Sequence, residues 1–196
     1  MTGLSRAELL RRGGGGGAAI LLAGALPAGA RAAVPSDNDL AYARLLVAME
    51  LLAIDFYQRA VRSAQLGSTA AAGLKRSLAD ERKHYRAVGA ILLAAWETPL
   101  TAADIDFSYP RRAFSRRASL AGLGARLESL FLGAYLGAVA GFEASQSKLT
   151  AARIAACEAQ HLSVFTGEAR GQRIGPALPR FLTIDRASNA LDAFTA

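Results

Sequence analysis

Two glutamate–histidine pairs contain the residues of this chain that are best suited to chemistry. The sequence has only two histidines, and each follows a glutamate by three residues, in Glu81-x-x-His84 and Glu158-x-x-His161. Residues three apart share a helical face, so each pair is either a pair of metal ligands or an ordinary surface pair. One such motif is common and weak, but its occurrence at both histidines favours metal binding.

Two further glutamates lie at matching distances upstream of these pairs. Glu50 precedes Glu81 by 31 residues, and Glu128 precedes Glu158 by 30. In an antiparallel helical hairpin, two residues face each other when the turn lies near their midpoint. The midpoints fall near residues 65–66 and 143, close to the turns predicted below. We therefore expect each of these glutamates to face the pair that follows it.

A tyrosine follows each upstream glutamate by seven residues, Tyr57 after Glu50 and Tyr135 after Glu128. Seven residues are two helical turns, so each tyrosine is expected on the same face as its glutamate. The chain thus contains an internal repeat, Glu-x6-Tyr followed by Glu-x-x-His. Both tyrosines are as consistent with core packing as with hydrogen bonding to a ligand carboxylate.

Four long stretches have the apolar spacing of helices, at residues 40–68, 69–96, 118–145 and 149–167. The first two are joined by a few residues, as are the last two, whereas about 20 residues, beginning ETPLTAADIDF, separate the second from the third. Short, long and short connections predict an all-α, up-down four-helix bundle made of two hairpins with one long crossover. A loop with two prolines and a short fifth helix in DRASNALDAF are expected to follow.

Other polar and aromatic residues near the motifs are expected to have structural roles. Asp55 and Asp80 should lie on other helical faces and form salt bridges, and Trp96 should pack at a helix end. The single cysteine, Cys157, lies about 100° round the helix from Glu158 and is expected to point away from the site. A single cysteine also cannot form an intramolecular disulfide.

The combination of motifs resembles the ferritin-like superfamily, in particular exported bacterial ferritin-like domain proteins, over residues 37–169. The resemblance implies two bound iron or manganese ions, and carboxylate and imidazole suit these metals, whereas thiolate suits zinc or copper. It implies that one pair of residues serves each metal and that two glutamates bridge them. The implied ligands are Glu50 and His84 for one metal, Glu128 and His161 for the other, and Glu81 and Glu158 as bridges.

The resemblance also implies a reaction class, namely an oxidoreductase that acts with O2 or peroxide, of the ferroxidase or peroxidase type. Two alternatives are a protein that holds iron or manganese without turnover and a stress-protective structural protein with a vestigial site. The complete set of six ligands argues against a vestigial site. The sequence leaves the metal, the substrate and the oligomeric state open, with a homodimer among the alternatives.

The first 32 residues have the features of a secretory signal peptide. Paired Arg11 and Arg12 precede a short apolar stretch and an Ala30-Arg31-Ala32 cleavage pattern, which together indicate a twin-arginine export signal. The alternative, an uncleaved membrane anchor, is disfavoured because the apolar stretch is short and broken by glycine. We expect a periplasmic or extracellular protein with a bundle at residues 33–170 and a tail at residues 171–196.

Charge and hydropathy argue against two other classes of function. Removal of residues 1–32 would lower the net charge from +7 to +4, because four arginines and one glutamate would leave. The remaining basic residues are scattered and lack an interleaved aromatic platform, which argues against nucleic-acid binding. No apolar run of 20 residues occurs elsewhere, so the mature domain is not expected to span a membrane.

Overall fold

A computed structural model describes residues 34–171 and 174–195, and within these ranges the chain forms five helices and no strand. The helices are α1 (Asp37–Ser63), α2 (Ser68–Leu93), α3 (Arg117–Gly141), α4 (Ser145–Arg170) and α5 (Ile184–Asp192). The predicted signal peptide at residues 1–32 lies outside the described residues.

The four long helices form a bundle of two hairpins. α1 packs along α2 and α3 packs along α4, and only residues 64–67 and 142–144 join the partners. Residues 94–116 form the long crossover between the hairpins. The predicted all-α bundle, its crossover and the short final helix are therefore confirmed.

The interior is apolar, and α3 is the most apolar of the described helices. Its side chains join those of α1 in a core that includes Phe56, Phe131 and Phe165. Among the described helices, only α3 is long and apolar enough to cross a membrane by length and composition. However, 61% of the most apolar 18-residue stretch of α3 is buried within the protein, as expected for the core helix of a bundle.

A contact with α1 sets the start of α4. The carboxylate of buried Asp39 accepts hydrogen bonds from the backbone N–H groups of Glu143 (2.5 Å) and Ala144 (3.1 Å). The helix begins at Ser145, four residues before the predicted start at residue 149. The sequence pattern missed this start because the carboxylate that binds these N–H groups comes from α1.

Side-chain contacts fix the crossover to the two helices beneath it. Arg44 of α1 forms an ion pair with Glu97, with 2.8 Å between Nε and Oε2, and the hydroxyl of Tyr85 donates to the carbonyl oxygen of Leu100 at 2.7 Å. The expectation that Trp96 packs at the helix end is wrong. Its backbone adopts a left-handed φ of 62° in the turn after α2, and its side chain is 89% exposed because this turn carries it away from the bundle.

The segment before α5 lies along a glycine-lined groove of α3. The backbone N–H of Leu182 donates to the carbonyl oxygen of Gly133 at 2.8 Å. At Gly137 a Cβ atom would overlap the carbonyl oxygen of Leu182. These glycines let the tail backbone approach the helix closely, which brings α5 against α1 and α3.

Candidate metal centre

Six polar side chains from four different helices meet in the middle of the apolar bundle. Each is at most 8% exposed, although carboxylate and imidazole groups are normally solvated. α1 and α3 each contribute one glutamate, and α2 and α4 each contribute a Glu-x-x-His pair on one helical face. The residues are Glu50 (α1), Glu81 and His84 (α2), Glu128 (α3), and Glu158 and His161 (α4).

Three glutamates from different helices surround the imidazole of His84. Its Nδ1 atom lies 3.1 Å from Oε2 of Glu81, 3.0 Å from Oε1 of Glu158 and 3.9 Å from Oε2 of Glu50. One atom from each of these four residues lies within 4.8 Å of the others. A group of this size and composition can hold a metal ion.

His161 has equivalent surroundings on the opposite side of the cluster. Its Nδ1 atom lies 2.9 Å from Oε1 of Glu81, 3.4 Å from Oε2 of Glu158 and 3.9 Å from Oε2 of Glu128. Glu81 and Glu158 therefore direct one carboxylate oxygen towards each histidine, and we call them the shared glutamates. Glu50 and Glu128 each approach one histidine only, and we call them the outer glutamates.

Each outer glutamate accepts a hydrogen bond from a tyrosine of the other hairpin. The hydroxyl of Tyr57 donates to Oε1 of Glu128 at 2.6 Å, and the hydroxyl of Tyr135 donates to Oε1 of Glu50. Both tyrosines are fully buried, so they act as hydrogen-bond donors as well as packing residues. Each bond fixes the outer carboxylate and leaves its second oxygen directed into the cluster.

Six buried side-chain atoms within the described residues have no hydrogen-bond partner, and all six belong to this cluster. They are Oε2 of Glu50, Oε1 of Glu81, Oε2 of Glu128, both carboxylate oxygens of Glu158, and Nδ1 of His161. Close contacts such as that between His161 and Glu81 do not have hydrogen-bond geometry. Unpartnered buried oxygens are costly, and these converge on shared points between the helices, so the donor set fits metal ions.

Burial and crowding raise the pKa values of both outer glutamates. For Glu50 and Glu128 the largest cause is loss of solvation, followed by the negative charges of the shared glutamates. Their carboxyl groups therefore hold a proton more readily than an exposed glutamate. Burial and the nearby glutamates also raise the pKa values of Tyr57 and Tyr135, which keeps both hydroxyls protonated as donors.

The histidines and Glu158 form a charged network in the metal-free protein. Burial alone would lower the pKa values of His84 and His161, but close contacts with Cys157 and the shared glutamates raise both. Burial opposes ionisation of Glu158, yet the close contacts with His161 and His84 lower its pKa to about 2. A metal ion must displace the histidine protons, so its binding is coupled to proton release.

Cys157 contacts one of the proposed ligands, so the expectation that it points away from the site is wrong. Its Sγ atom lies 3.7 Å from Nε2 of His161, on the side of the ring opposite the cluster. The pKa of the thiol is lowered by hydrogen bonds with His161 and His84. The prediction considered only the angle of about 100° between Cys157 and its neighbour Glu158. Cys157 and His161 are four residues apart, so they share a helical face.

Asp80 lies beside the same thiol, which its sequence environment did not predict. It forms the expected salt bridge, 2.7 Å from Nζ of Lys83, and it also has an oxygen within 4.8 Å of ligand atoms of Cys157 and His161. Both Asp80 and Cys157 immediately precede the glutamate of a Glu-x-x-His motif. That shared position is the sequence signal that would have identified them as neighbours of the histidines.

Comparison with known families agrees with this geometry. The family model described as a ferritin-like domain matches residues 38–169, which is more than half of the chain and includes all six cluster residues. No curated protein matches the chain significantly. On the strength of the family match and the four-helix bundle, this chain belongs to the ferritin-like domain family.

Proposed function

We propose that the protein binds two iron ions, or two manganese ions, in this cluster and catalyses oxidation with O2 or peroxide as a ferroxidase or peroxidase. The observation that carries the proposal is the convergence of six unpartnered buried atoms from four carboxylates and one imidazole. A structural hydrogen-bond network would pair these atoms with one another. Metal ions would satisfy all of them at once.

The two halves of the cluster supply one set of ligands for each metal. Glu50 and His84 would hold one ion, Glu128 and His161 would hold the other, and the shared glutamates would contact both. Four carboxylates balance the charge of two divalent ions, and the mixture of carboxylate and imidazole suits iron or manganese. When bound, such ions supply one-electron redox chemistry with O2 or peroxide.

The surrounding residues hold the ligands and control their protons. The hydroxyls of Tyr57 and Tyr135 orient the outer glutamates, while apolar side chains from α1 and α3 exclude water from the cluster. The raised pKa values of the outer glutamates mean that they give up protons when metal arrives. The protein therefore exchanges protons for metal ions at this site.

The N-terminal sequence leads us to propose that the protein works outside the cytoplasm, in the periplasm or the extracellular space. A twin-arginine signal is compatible with export of a folded protein that already contains metal. A second candidate function is that the protein holds metal without turnover. The burial of both histidines, 8% and 6% exposed, favours this alternative because it limits access for a second reactant.

The test combines metal stoichiometry with oxidation. Metal-free protein is loaded with Fe(II) under anaerobic conditions, bound iron is counted, and O2 or peroxide is then added while ferric absorbance is followed in the near ultraviolet. We expect two iron ions per chain and oxidation faster than that of free Fe(II). Two bound ions without faster oxidation would support the holding function instead.

Variants separate the site from nonspecific binding of iron. Glu81→Ala and His161→Ala should each reduce the stoichiometry below two. Glu143→Gln is the matched control, because Glu143 is an exposed glutamate outside the cluster and should retain both ions. Absence of bound metal in the unmodified protein, or unchanged stoichiometry in both alanine variants, would refute the dinuclear site.

A further inference from the structure

A cavity outside the cluster lies where the crossover meets α1. Its volume is about 540 Å³, which is within the usual range for sites that bind small organic molecules. We call it the crossover pocket and define it by five of its lining residues, Arg59, Tyr109, Arg111, Arg112 and Phe114. None of the six cluster residues lines it.

The crossover pocket has an excess of positive charge. Arg59 forms an ion pair with Asp55 at 2.7 Å, and the hydroxyl of Tyr109 donates to the same carboxylate at 2.8 Å. Arg111 and Arg112 are exposed and make no ion pair with any residue of the described ranges. Two guanidinium groups are therefore available for a ligand, and guanidinium binds carboxylate or phosphate through paired hydrogen bonds.

The backbone at Arg112 is strained, with a left-handed φ of 63°. An arginine rarely adopts this conformation, which glycine adopts freely. The turn is held by hydrogen bonds from the backbone N–H (3.1 Å) and the hydroxyl (2.9 Å) of Ser115 to the carbonyl oxygen of Arg112. A large cationic side chain therefore occupies a backbone position that favours glycine, at the edge of the pocket.

Aromatic rings form the other wall of the pocket, and the bundle core fixes them in place. Tyr109 and Phe114 make an edge-to-face contact with centroids 5.1 Å apart, and Phe114 packs on buried Phe56 at 5.9 Å. The guanidinium of Arg59 lies 5.2 Å from the centroid of the Tyr109 ring. A ligand would meet a rigid apolar surface, which lowers the entropic cost of binding.

We propose that the crossover pocket binds a small organic anion that contains an aromatic ring. The free guanidinium groups of Arg111 and Arg112 bind its carboxylate or phosphate group, and the wall of Tyr109 and Phe114 packs against its ring. This site is independent of metal. Its failure would therefore leave the dinuclear centre untouched, and failure of the dinuclear centre would leave this site untouched.

The test is isothermal titration calorimetry of the full chain, stripped of metal with a chelator, at low ionic strength. The probes are 2-naphthoate, inorganic phosphate, and 2-naphthamide as the neutral isostere. We expect 2-naphthoate to bind with one site per chain, about tenfold more tightly than either of the other two, because it alone has both the ring and the charge. A tenfold ratio corresponds to about 1.4 kcal/mol.

Two variants locate the binding site. Arg112→Gly removes the charge and relieves the strained backbone, so the protein should remain folded while its affinity for 2-naphthoate falls about five- to tenfold; this would correspond to about 1.0–1.4 kcal/mol. Arg111→Ala should also weaken binding, whereas Arg153→Ala, at an exposed arginine of α4, should not.

Three results would overturn the proposal. The first is no heat of binding with 2-naphthoate, and the second is equal affinity of Arg112→Gly and Arg153→Ala. The third is equal affinity for phosphate and 2-naphthoate, which would show a site for charge alone and remove the aromatic part of the inference.

Discussion

Replacement of Glu128 by glutamine should have opposite consequences for the metal-free and the metal-bound protein. Without metal, burial and the charges of Glu158 and Glu81 raise the pKa of the Glu128 carboxyl group. Oxygens of these carboxylates lie within 4.8 Å of one another, so a second negative charge costs at least about 3.5 kcal/mol at an effective dielectric constant of about 20. Both effects favour a proton on this carboxyl group in the metal-free protein, and glutamine matches the shape and neutrality of the protonated form.

The metal-free variant should therefore be nearly as stable as the unmodified protein, because the glutamine oxygen can still accept the hydrogen bond from Tyr57. We expect the free energy of unfolding to change by less than about 1 kcal/mol, which is a shift in Tm of at most about 4 °C for a chain of this size. A cavity or an unpaired buried charge would cost more than this.

The metal-bound variant should lose most of the stabilisation that the ion held by Glu128 provides. At a metal concentration of about 100 times Kd, one bound ion adds about 2.7 kcal/mol, or roughly 5–11 °C in Tm. Loss of an anionic ligand should weaken metal binding at least about 100-fold. Replacement of a residue that only hydrogen-bonds to a ligand already lowers metal affinity about 10- to 100-fold. At the same metal concentration, about 0.4 kcal/mol of that stabilisation would remain.

Thermal melts followed by circular dichroism, with and without Mn(II), provide the assay, with Glu143→Gln as the control. Glu143 is exposed and lies in the connection before α4, so its variant should show the full metal-induced shift. The reasoning is refuted if Glu128→Gln keeps the full shift. It is also refuted if the metal-free variant loses several kcal/mol, because Glu128 would then be ionised and paired.

Three further predictions concern the tyrosine contact, the tail and pH. Tyr57→Phe removes the donor to Glu128, so melts should show a loss of about 1 kcal/mol, and metal titration an affinity about tenfold lower. Gly137→Ala should destabilise the protein in urea unfolding because its Cβ would overlap the carbonyl oxygen of Leu182, whereas Gly122→Ala, with open space, should stabilise it by about 0.5–1 kcal/mol. Burial and nearby charges raise the pKa values of both outer glutamates above 4.5, so the folded state binds more protons than the unfolded state. The stabilisation that these protons provide is fully present below about pH 4.5 and is lost as pH rises through the pKa values of the folded state. The metal-free protein should therefore be less stable to urea at about pH 8 than at about pH 5. A flat profile or the opposite slope would contradict this assignment of protons.

The bundle could be predicted from the sequence because helical periodicity and turn positions are local properties. The apolar spacing located the four long helices, and the Glu-x-x-His spacing placed each glutamate and histidine on one face. The start of α4 was not predictable, because Asp39 of α1 binds the backbone N–H groups that precede it. The exposure of Trp96 was also missed, since it depends on a left-handed turn that no turn residue signalled.

By itself, the sequence determined which side chains could meet. Two Glu-x-x-His pairs and two glutamates at repeated distances place six polar side chains at one height of the bundle, because the backbone hydrogen bonds of each helix fix the angle between successive residues. The chemistry of these groups also follows from the sequence, since carboxylate and imidazole suit hard and intermediate metal ions. Their role as metal ligands stays a prediction.

Only the tertiary structure decided how the helices are rotated against one another. That rotation gives Glu81 and Glu158 one oxygen for each histidine. It also sends each tyrosine across to the glutamate of the other hairpin, and it brings the thiol of Cys157 to the outer side of His161. These contacts depend on how side chains of separate helices interlock, and spacing along one helix contains no information about that packing.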